Sequence, residues 1–178
     1  MLQGIKNSVW HPAIAYLAAL WYGFPARGMV VIGVTGTKGK STTCEMLYAI
    51  FTAAGHQTAL ASTIRFAYPG HEERNMFKMT MPGRGYIQAF LAKAKRAGAT
   101  HAIIEITSEA ARQHRHNFLY LDGLIVTNIQ REHIESHGSF ENYVAAKRAI
   151  VEALVRSPKK DKVLVANSTN EYTNKFLS

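Results

Sequence analysis

The 178 residues suffice for one domain with a real hydrophobic core, and 47% apolar against 19% charged residues is ordinary for a globular protein. A single cysteine, Cys44, excludes a disulfide framework and fits a reducing cytoplasm. The net charge of +9 is compatible with nucleic-acid binding, but the lysines and arginines of the chain are scattered and are not interleaved with aromatic residues. Anionic small substrates such as nucleotides explain the charge equally well, and no nucleic-acid partner is expected.

Residues 1–28 precede the first predicted strand and contain an apolar stretch, residues 11–24, that predicts a helix. The stretch is shorter than the ~20 apolar residues that a membrane span needs, so no transmembrane segment is expected. Its pattern of small residues is poor for signal-peptide cleavage. The helix has three possible roles: packing on the domain, which we favour, lying on a membrane surface, or contacting a missing partner domain. We divide the chain into an N-terminal apolar helix and linker, residues 1–28, and a domain, residues 29–178.

A strand, a glycine-rich loop and a helix follow one another in residues 30–54. The apolar, β-branched run 30–34 predicts a buried strand, and residues 44–54 predict a helix. Glycines in the loop let successive backbone N–H groups point inward at phosphate oxygens. The helix adds its positive N-terminal end. This unit predicts a phosphate-binding loop.

Two side chains supply the chemistry of that loop. Lys40 can reach the β- and γ-phosphates of a nucleotide, and the hydroxyl of Ser41 can hold Mg²⁺. The loop is a variant, because the general pattern has glycine at the position of Val34. Its glycines are Gly33, Gly36 and Gly39. The sequence Gly-Lys-Ser-Thr between a strand and a helix nevertheless predicts nucleotide binding.

The rest of the chain alternates strand and helix patterns. Further strands are predicted at 57–62, 101–106, 123–127 and 162–166, and helices at 86–97, 108–114 and 140–155. Residues 65–84 are predicted to form a long polar loop. The alternation predicts an α/β fold with a mostly parallel sheet and helices on both faces.

Polar residues that follow the predicted strands should converge at one edge of the sheet, where open α/β sheets bind ligands. Ser41 follows the first strand, Glu105 ends the strand 101–106, and residues 128–137 follow the strand 123–127. Glu105 closes an otherwise apolar strand. A solvated carboxylate is its ordinary interpretation, but beside a phosphate loop a Mg²⁺ ligand is favoured.

Residues 127–138 are rich in groups that bind metals or transfer protons. His133 and His137 are four positions apart, a spacing that on a helix suggests zinc, but no third soft ligand lies nearby. A single histidine joining carboxylates around Mg²⁺ fits better. Lys147 lies on the helix 140–155, where a solvated lysine is the ordinary interpretation.

Five ordered motifs resemble those of the Mur ligases, a family that includes the UDP-N-acetylmuramoyl-peptide ligases and the folylpolyglutamate synthases. Residues 33–43 resemble the ATP loop of the family, and residues 105–108 resemble its Glu-x-Ser-Ser segment. Gln-His-Arg at 113–115 matches the enzymes that add the third peptide residue. Residues 127–138 resemble the Thr-Asn-Leu-x-Arg-Asp-His segment that ends in His-Gly. Residues 143–147 are similar to the Tyr-x-x-Ala-Lys that contains a carbamylated lysine.

The resemblance implies the P-loop NTPase-like central domain of a Mur ligase, with ATP and Mg²⁺ as cofactors. ATP would phosphorylate the terminal carboxylate of a UDP-muramoyl peptide, and an amine would attack the acyl phosphate to form an amide. Implied metal ligands are Ser41, Glu105, His133 and carbamylated Lys147. Implied catalytic residues are Lys40, Glu105, His133 and Lys147. Implied nucleotide-binding residues are Gly36, Thr37, Lys38, Gly39, Lys40, Ser41, Thr42 and Asn128. Implied substrate-binding residues are Thr80, Thr107, Ser108, Gln113 and Arg115.

Several features depart from the family. Met81 replaces a residue of its Thr-Thr-Pro segment, Glu109 stands where the most similar members usually have histidine, and residues 167–170 lack its paired carboxylates. From the resemblance we expect these 178 residues to include neither a full UDP-binding N-terminal domain nor the C-terminal domain that brings in the amino acid. We therefore expect a central domain that is incomplete at its C-terminus and works in the cytoplasm with missing ligase domains or a partner chain. The alternative is a nucleotide-binding fragment or subunit without ligase activity of its own.

Overall fold

The computed structural model describes residues 10–77, 79–83, 85–130, 138–170 and 172–173. The strands are β1 (Val30–Thr35), β2 (Thr58–Ala61), β3 (Arg65–Tyr68), β4 (His71–Arg74), β5 (His101–Glu105), β6 (Gly123–Val126) and β7 (Val163–Ala166). The α-helices are α1 (His11–Trp21), α2 (Lys40–Ala53), α3 (Tyr86–Arg96), α4 (Ser108–Arg112) and α5 (Phe140–Val155), and a short 3-10 helix covers Pro25–Gly28.

The strands form one sheet in the order β4-β3-β2-β5-β1-β6-β7. Strands β2, β5, β1, β6 and β7 run parallel to one another. Strands β3 and β4 form an antiparallel hairpin, which pairs with β2 at one edge of the sheet. The chain leaves β1 towards β2 on one side, and later crosses to β6 on the other. Such a reversal opens a crevice at the carboxyl end of the central strand, where ligands bind in folds of this kind. The predicted mostly parallel sheet is confirmed.

Helices cover both faces of the sheet. Side chains alternate along β1, so that Val31 and Val34 belong to separate hydrophobic clusters. Helix α2 covers the face of Val34, where Cys44 is buried. Helices α3, α4 and α5 cover the face of Val31. The predicted placement of helices on both faces is confirmed.

Helix α5 has the predicted bounds, and its local sequence explains both its start and its packing. The hydroxyl of Ser139 accepts a hydrogen bond from the backbone N–H of Asn142 at 3.1 Å, which caps the helix. Tyr143, Ala146, Ile150 and Leu154 are buried, and their spacing of three and four positions places them on one face of the helix.

Two predictions along the chain are wrong. Helix α2 begins at Lys40 rather than at residue 44, because Gly39 already has the left-handed conformation from which the helix starts. Residues 65–84 are not a continuous loop, because β3 and β4 form a hairpin. The strand β4 has the sequence His-Glu-Glu-Arg and is exposed throughout, so it carries no apolar alternation that would identify it. Arg65 stabilises the hairpin through ion pairs with Glu45 at 2.7 Å and Glu72 at 2.8 Å.

Helix α1 packs against α3 through its small residues, among which Ala15 and Ala19 are buried. The predicted packing on the domain is therefore confirmed for this side of the helix. Of the helices that the structure describes, none has the length and apolarity required to cross a membrane. The division between residues 1–28 and 29–178 stays a prediction.

Candidate functional site

The glycine-rich loop connects β1 to α2 at the centre of the sheet. Gly36 and Gly39 have φ values of +146° and +79°, which residues with a side chain rarely adopt. With these conformations the loop turns sharply and begins α2 at Lys40, with the N-terminus of the helix beside the loop. The unpaired N–H groups of a helix N-terminus attract anions. The loop therefore has the backbone geometry of a phosphate site.

Residues 127 and 128 hold the loop in place. The hydroxyl of Thr127 donates to the carbonyl of Lys38 at 2.7 Å. The side chain of Asn128 donates to the same carbonyl and accepts from the N–H of Lys38, both at 3.0 Å. The carbonyl of Asn128 accepts from the N–H of Thr37 at 2.9 Å. Asn128, a predicted nucleotide-binding residue, thus forms hydrogen bonds with the backbone of the loop.

Replacing Gly36 with alanine is expected to lower the free energy of unfolding by about 3 kcal/mol or more. A Cβ atom at Gly36 would lie 1.9 Å from the hydroxyl oxygen of Thr127 and 3.1 Å from the backbone nitrogen of Asn128. Urea denaturation of both proteins measures the difference. Gly39→Ala is the matched control, since its φ is also positive but no atom lies within 4 Å of the added Cβ. It should cost only about 1–2 kcal/mol, and an equal cost at both positions would contradict the close approach.

Glu105 lies beside the loop and is buried. It pairs with Val34 in the register of β5 and β1, so its side chain emerges next to the first turn of α2. One carboxylate oxygen accepts from the hydroxyl of Ser41 at 3.0 Å and from the backbone N–H of Thr63 at 2.8 Å. Only 1% of the residue is exposed, so the solvated interpretation is wrong.

Lys147 is also buried, with 1% of its surface exposed, and the solvated interpretation of this residue is wrong as well. Its ammonium group donates to the carbonyl of Gly36 at 2.8 Å and to the hydroxyl of Thr35 at 3.3 Å. Burial first, and then the positive charge of Lys40, lower the pKa of Lys147 from 10.5 to about 7. The chain thus holds a lysine that is partly neutral at physiological pH directly against the loop.

A cleft of about 470 Å³ opens in front of these residues. Gly36, Lys40 and Ser41 line one part of it, together with Glu105 and Lys147. All five predicted substrate-binding residues line the cleft as well: Thr80, Thr107, Ser108, Gln113 and Arg115. The structure therefore brings the loop, the buried carboxylate and the predicted substrate residues to one cavity.

Hydrogen bonds fix the guanidinium group of Arg115 within the cleft. It donates to the carbonyl of Met81 and, at 2.6 Å, to the side-chain oxygen of Gln113. Gln113 in turn donates to the carboxylate of Glu109 at 2.7 Å. These contacts place a positive charge in the cleft, in a fixed orientation.

Not every predicted residue lines the cleft. Thr42, Lys38 and Gly39 are exposed and are absent from its lining. Thr37 is buried, and its hydroxyl lies 2.6 Å from that of Tyr143. His133 lies outside the described residues. Among the described residues there is no group of three or more histidine, cysteine or acidic side chains that could hold a metal ion.

Two residues at the site were not predicted for it. Thr63 lies two residues beyond the end of β2, so the strand-end rule could have identified it; its hydroxyl lies 2.8 Å from that of Thr80. Tyr143 entered the sequence analysis only as part of the segment 143–147, and no sequence signal indicated that its hydroxyl contacts the loop.

The side chains at the loop fit a magnesium ion. Ser41 and Glu105 present a hydroxyl and a carboxylate 3.0 Å apart, and oxygen atoms are the ligands that Mg²⁺ prefers. Such sites commonly combine one or two protein ligands with the phosphates of the substrate. The donor set is thus suited to a nucleotide-bound magnesium ion.

Comparisons with known proteins agree with the motifs. The family description "Mur ligase middle domain" matches residues 34–178. A UDP-N-acetylmuramoyl-L-alanyl-D-glutamate–2,6-diaminopimelate ligase from Parabacteroides distasonis is 35% identical over 150 residues, which cover 84% of this chain and 30% of that protein. A UDP-N-acetylmuramyl-tripeptide synthetase from Roseiflexus sp. is 35% identical over 173 residues, which cover 93% of this chain and 34% of the relative. The chain thus spans about a third of the length of these curated relatives.

Solved structures share the fold. A UDP-N-acetylmuramoyl-L-alanyl-D-glutamate–2,6-diaminopimelate ligase superposes with a TM-score of 0.64 at 21% identity, covering 80% of this chain and 33% of that chain. Mycobacterium tuberculosis folylpolyglutamate synthase complexed with ADP gives a TM-score of 0.67 at 15% identity, covering 93% and 43%. At these identities the likeness concerns the fold alone.

Proposed function

The chain belongs to the Mur ligase family, and from that premise we propose that it is the ATP-binding part of a ligase that joins a carboxylate to an amine. The reaction passes through an acyl phosphate and consumes ATP. The carboxylate belongs to a UDP-N-acetylmuramoyl-peptide in the cytoplasmic synthesis of peptidoglycan precursors. Two of the relatives described above carry names of this reaction class.

The observation that carries the proposal is the contact between Ser41 and Glu105 at the mouth of the phosphate loop. The hydroxyl and the carboxylate meet at 3.0 Å, and Lys40 follows Gly39 at the start of the same helix. A loop that only turned the chain would need neither a buried carboxylate nor a lysine beside it. The side chains of Lys40, Ser41 and Glu105 are the groups that bind a nucleoside triphosphate together with magnesium.

Each of these residues has a separate part in binding the nucleotide. The backbone N–H groups at the start of α2 hold phosphate oxygens, and Lys40 exchanges its present hydrogen bond to the carbonyl of Thr37, 2.9 Å long, for the β- and γ-phosphates. Ser41 and Glu105 would hold a magnesium ion, which would supply neutralisation of the charge on the transferred phosphoryl group. Of the other predicted nucleotide residues, Lys38, Gly39 and Thr42 are exposed.

The acceptor carboxylate binds across the cleft. Arg115 offers a fixed positive charge for an anionic group, and Thr80, Thr107 and Ser108 offer hydroxyl groups. In the reaction, a carboxylate oxygen attacks the γ-phosphorus and ADP leaves. The nitrogen of the incoming amine then attacks the acyl carbon, phosphate leaves, and the amine gives up a proton.

We further propose that Lys147 is carbamylated. A neutral lysine amine attacks CO₂ and releases one proton, which leaves a carbamate with one negative charge. The lowered pKa of Lys147 supplies the neutral amine, and Lys40 supplies a positive charge near the product. The carbamate would act with Glu105 and His133 at a second magnesium ion.

A second candidate function is nucleotide binding without ligase turnover, in a complex with a partner chain. The chain spans 30% and 34% of the two relatives described above.

Calorimetric titration of MgATP into the purified chain tests the proposed nucleotide site. We expect saturable binding to the wild-type chain and at least about tenfold weaker binding to Lys40→Ala, because a charge-assisted hydrogen bond to phosphate is lost. Lys93→Ala removes the same charge from the exposed side of α3 and should bind as the wild type does. A folded wild type that does not bind MgATP would overturn the proposal.

A second assay separates the two candidate functions. The chain that binds MgATP is incubated with UDP-N-acetylmuramoyl-L-alanyl-D-glutamate and 2,6-diaminopimelate, the compounds in the name of one relative. Amide formation with release of ADP supports the ligase. Nucleotide binding without amide formation supports the binding module.

A further inference from the structure

Helix α1 presents an apolar face to solvent. Trp10, Leu17, Leu20 and Trp21, which we term the outer face, are 63%, 60%, 52% and 84% exposed. Their spacing of three, four and seven positions places them along one side of the helix. The stretch from His11 to Trp21 contains no aspartate, glutamate, lysine or arginine. Contiguous exposed apolar residues of this size mark an interaction surface.

The opposite side of α1 is already used by the domain. His11, Ala15 and Ala19 are buried, and the ring of Tyr16 packs on Phe24 and Phe118 with centroids 6.0 and 5.6 Å away. The helix is therefore attached to the protein in a fixed orientation. Packing within the described part of the chain does not account for the outer face.

The chain segments next to α1, and the helix on which α1 packs, carry positive charge. Residues 1–44 and 74–104 contain no aspartate or glutamate. The last turn of α3, the helix on which α1 packs, carries three exposed basic residues: Lys93, Lys95 and Arg96. Lys95 reaches Gly28 in the segment that follows α1, where Arg27 is also exposed.

We propose that the outer face of α1 binds the surface of a membrane that contains anionic lipids. Tryptophan at both ends with leucine between them is the composition of a helix that lies at the boundary between headgroups and acyl chains. The neighbouring basic residues complement the anionic headgroups. With 11 residues α1 is about 16 Å long and lies on the membrane rather than crossing it. None of the residues that line the cleft comes from α1, so the cleft stays open to solvent.

Tryptophan fluorescence tests the proposal directly, because the chain has two tryptophans and both lie on the outer face. The probes are vesicles of phosphatidylcholine alone and vesicles of phosphatidylcholine and phosphatidylglycerol in equal parts. With the anionic vesicles we expect a blue shift of the emission and co-sedimentation of the chain. With the neutral vesicles we expect markedly weaker binding.

Substitution of the two leucines supplies the matched comparison. Leu17→Ser combined with Leu20→Ser should bind the anionic vesicles at least about tenfold more weakly, since each leucine loses the gain of burial in an apolar medium. Ile50→Ser removes a similar side chain that is 62% exposed on α2 and should bind as the wild type does. All three substituted residues are exposed, so we expect both variants to retain the fold.

Three results would overturn the proposal. The first is the absence of binding to either kind of vesicle, and the second is equal binding by the wild type and the double leucine variant. The third is a blue shift without vesicles that grows with protein concentration and accompanies dimer formation in the ultracentrifuge, which would assign the outer face to a second copy of the chain.

Discussion

Replacing Glu105 with glutamine is expected to weaken the binding of ATP in the presence of Mg²⁺ by at least about tenfold, and to strengthen binding somewhat in excess EDTA. The substitution removes the negative charge that faces the phosphate loop. It keeps an oxygen that can accept the hydrogen bonds from Ser41 and Thr63, which both reach one carboxylate oxygen in the wild type. Calorimetric titration of ATP with and without the metal measures the effect.

The comparison of the two titrations isolates the metal. A carboxylate near the phosphates of ATP repels them, so its loss alone would strengthen nucleotide binding. Only a carboxylate that holds the magnesium ion weakens binding when it is neutralised, and only when the metal is present. The ratio of the two affinities is therefore the quantity to compare.

Glu109→Gln is the control, because it removes one charge from the lining of the same cleft without touching the contact to Ser41. It should leave the ratio of the two affinities as in the wild type. If Glu105→Gln and Glu109→Gln change that ratio equally, the effect is one of general charge and Glu105 is not a magnesium ligand. Urea denaturation of both variants shows whether the fold is kept.

The central unit of the fold could be predicted because its signals are local. Apolar β-branched runs identified β1 and β5, helical spacing identified α5 with its exact bounds, and the alternation of the two gave a parallel sheet. From the parallel sheet it followed that Ser41 and Glu105 meet at one edge. The resemblance to the family then placed all five substrate-binding candidates, which share the cleft.

What the sequence did not predict depends on contacts between distant residues. Strand β4 is charged and exposed, and only its pairing with β3 identifies it. Thr63 contacts Glu105 across 42 positions of the chain, and Tyr143 contacts Thr37 across 106. The burial of Lys147 likewise results from the packing of α5 against the loop, because a lysine on a helix is ordinarily solvated.

The buried Lys147 is expected to make stability depend on pH. The free energy of unfolding of the wild-type chain should rise by about 2–3 kcal/mol between pH 7 and pH 9 through this residue. In Lys147→Met, which keeps an unbranched side chain without a titratable group, this contribution is absent. Urea denaturation at pH 7, 8 and 9 in buffer freed of CO₂ measures both curves.

The sign follows from the two pKa values of Lys147. In the folded chain the pKa is about 7, and in the unfolded chain it takes its ordinary value of 10.5. Between these values the unfolded chain binds more protons, so raising the pH favours the folded chain. Below pH 7 both forms are protonated, and the cost of the buried charge no longer changes. The contribution therefore grows from pH 7 upward.

Cys44 and His101 also make stability depend on pH, but they do not produce a difference between the wild type and Lys147→Met. Burial and neighbouring carboxylates raise the pKa of Cys44, so above its ordinary value of 9.0 the folded chain keeps a proton that the unfolded chain loses, and stability falls. The pKa of His101 is lowered from 6.5, which affects stability below the window. Both groups are present in Lys147→Met, so the difference between the two curves belongs to Lys147. Parallel curves would contradict the lowered pKa.

The same neutral amine explains why CO₂ must be excluded, and this links the stability measurement to the proposed carbamate. At pH 7 about half of the Lys147 side chains are unprotonated, whereas an ordinary lysine would be almost entirely charged. Adding ¹³C-labelled bicarbonate should therefore give a carbamate signal by NMR in the wild type that Lys147→Met lacks. If the pH curves differ but no such signal appears, Lys147 acts as the amine that binds the carbonyl of Gly36, 2.8 Å away, and not as a carbamate.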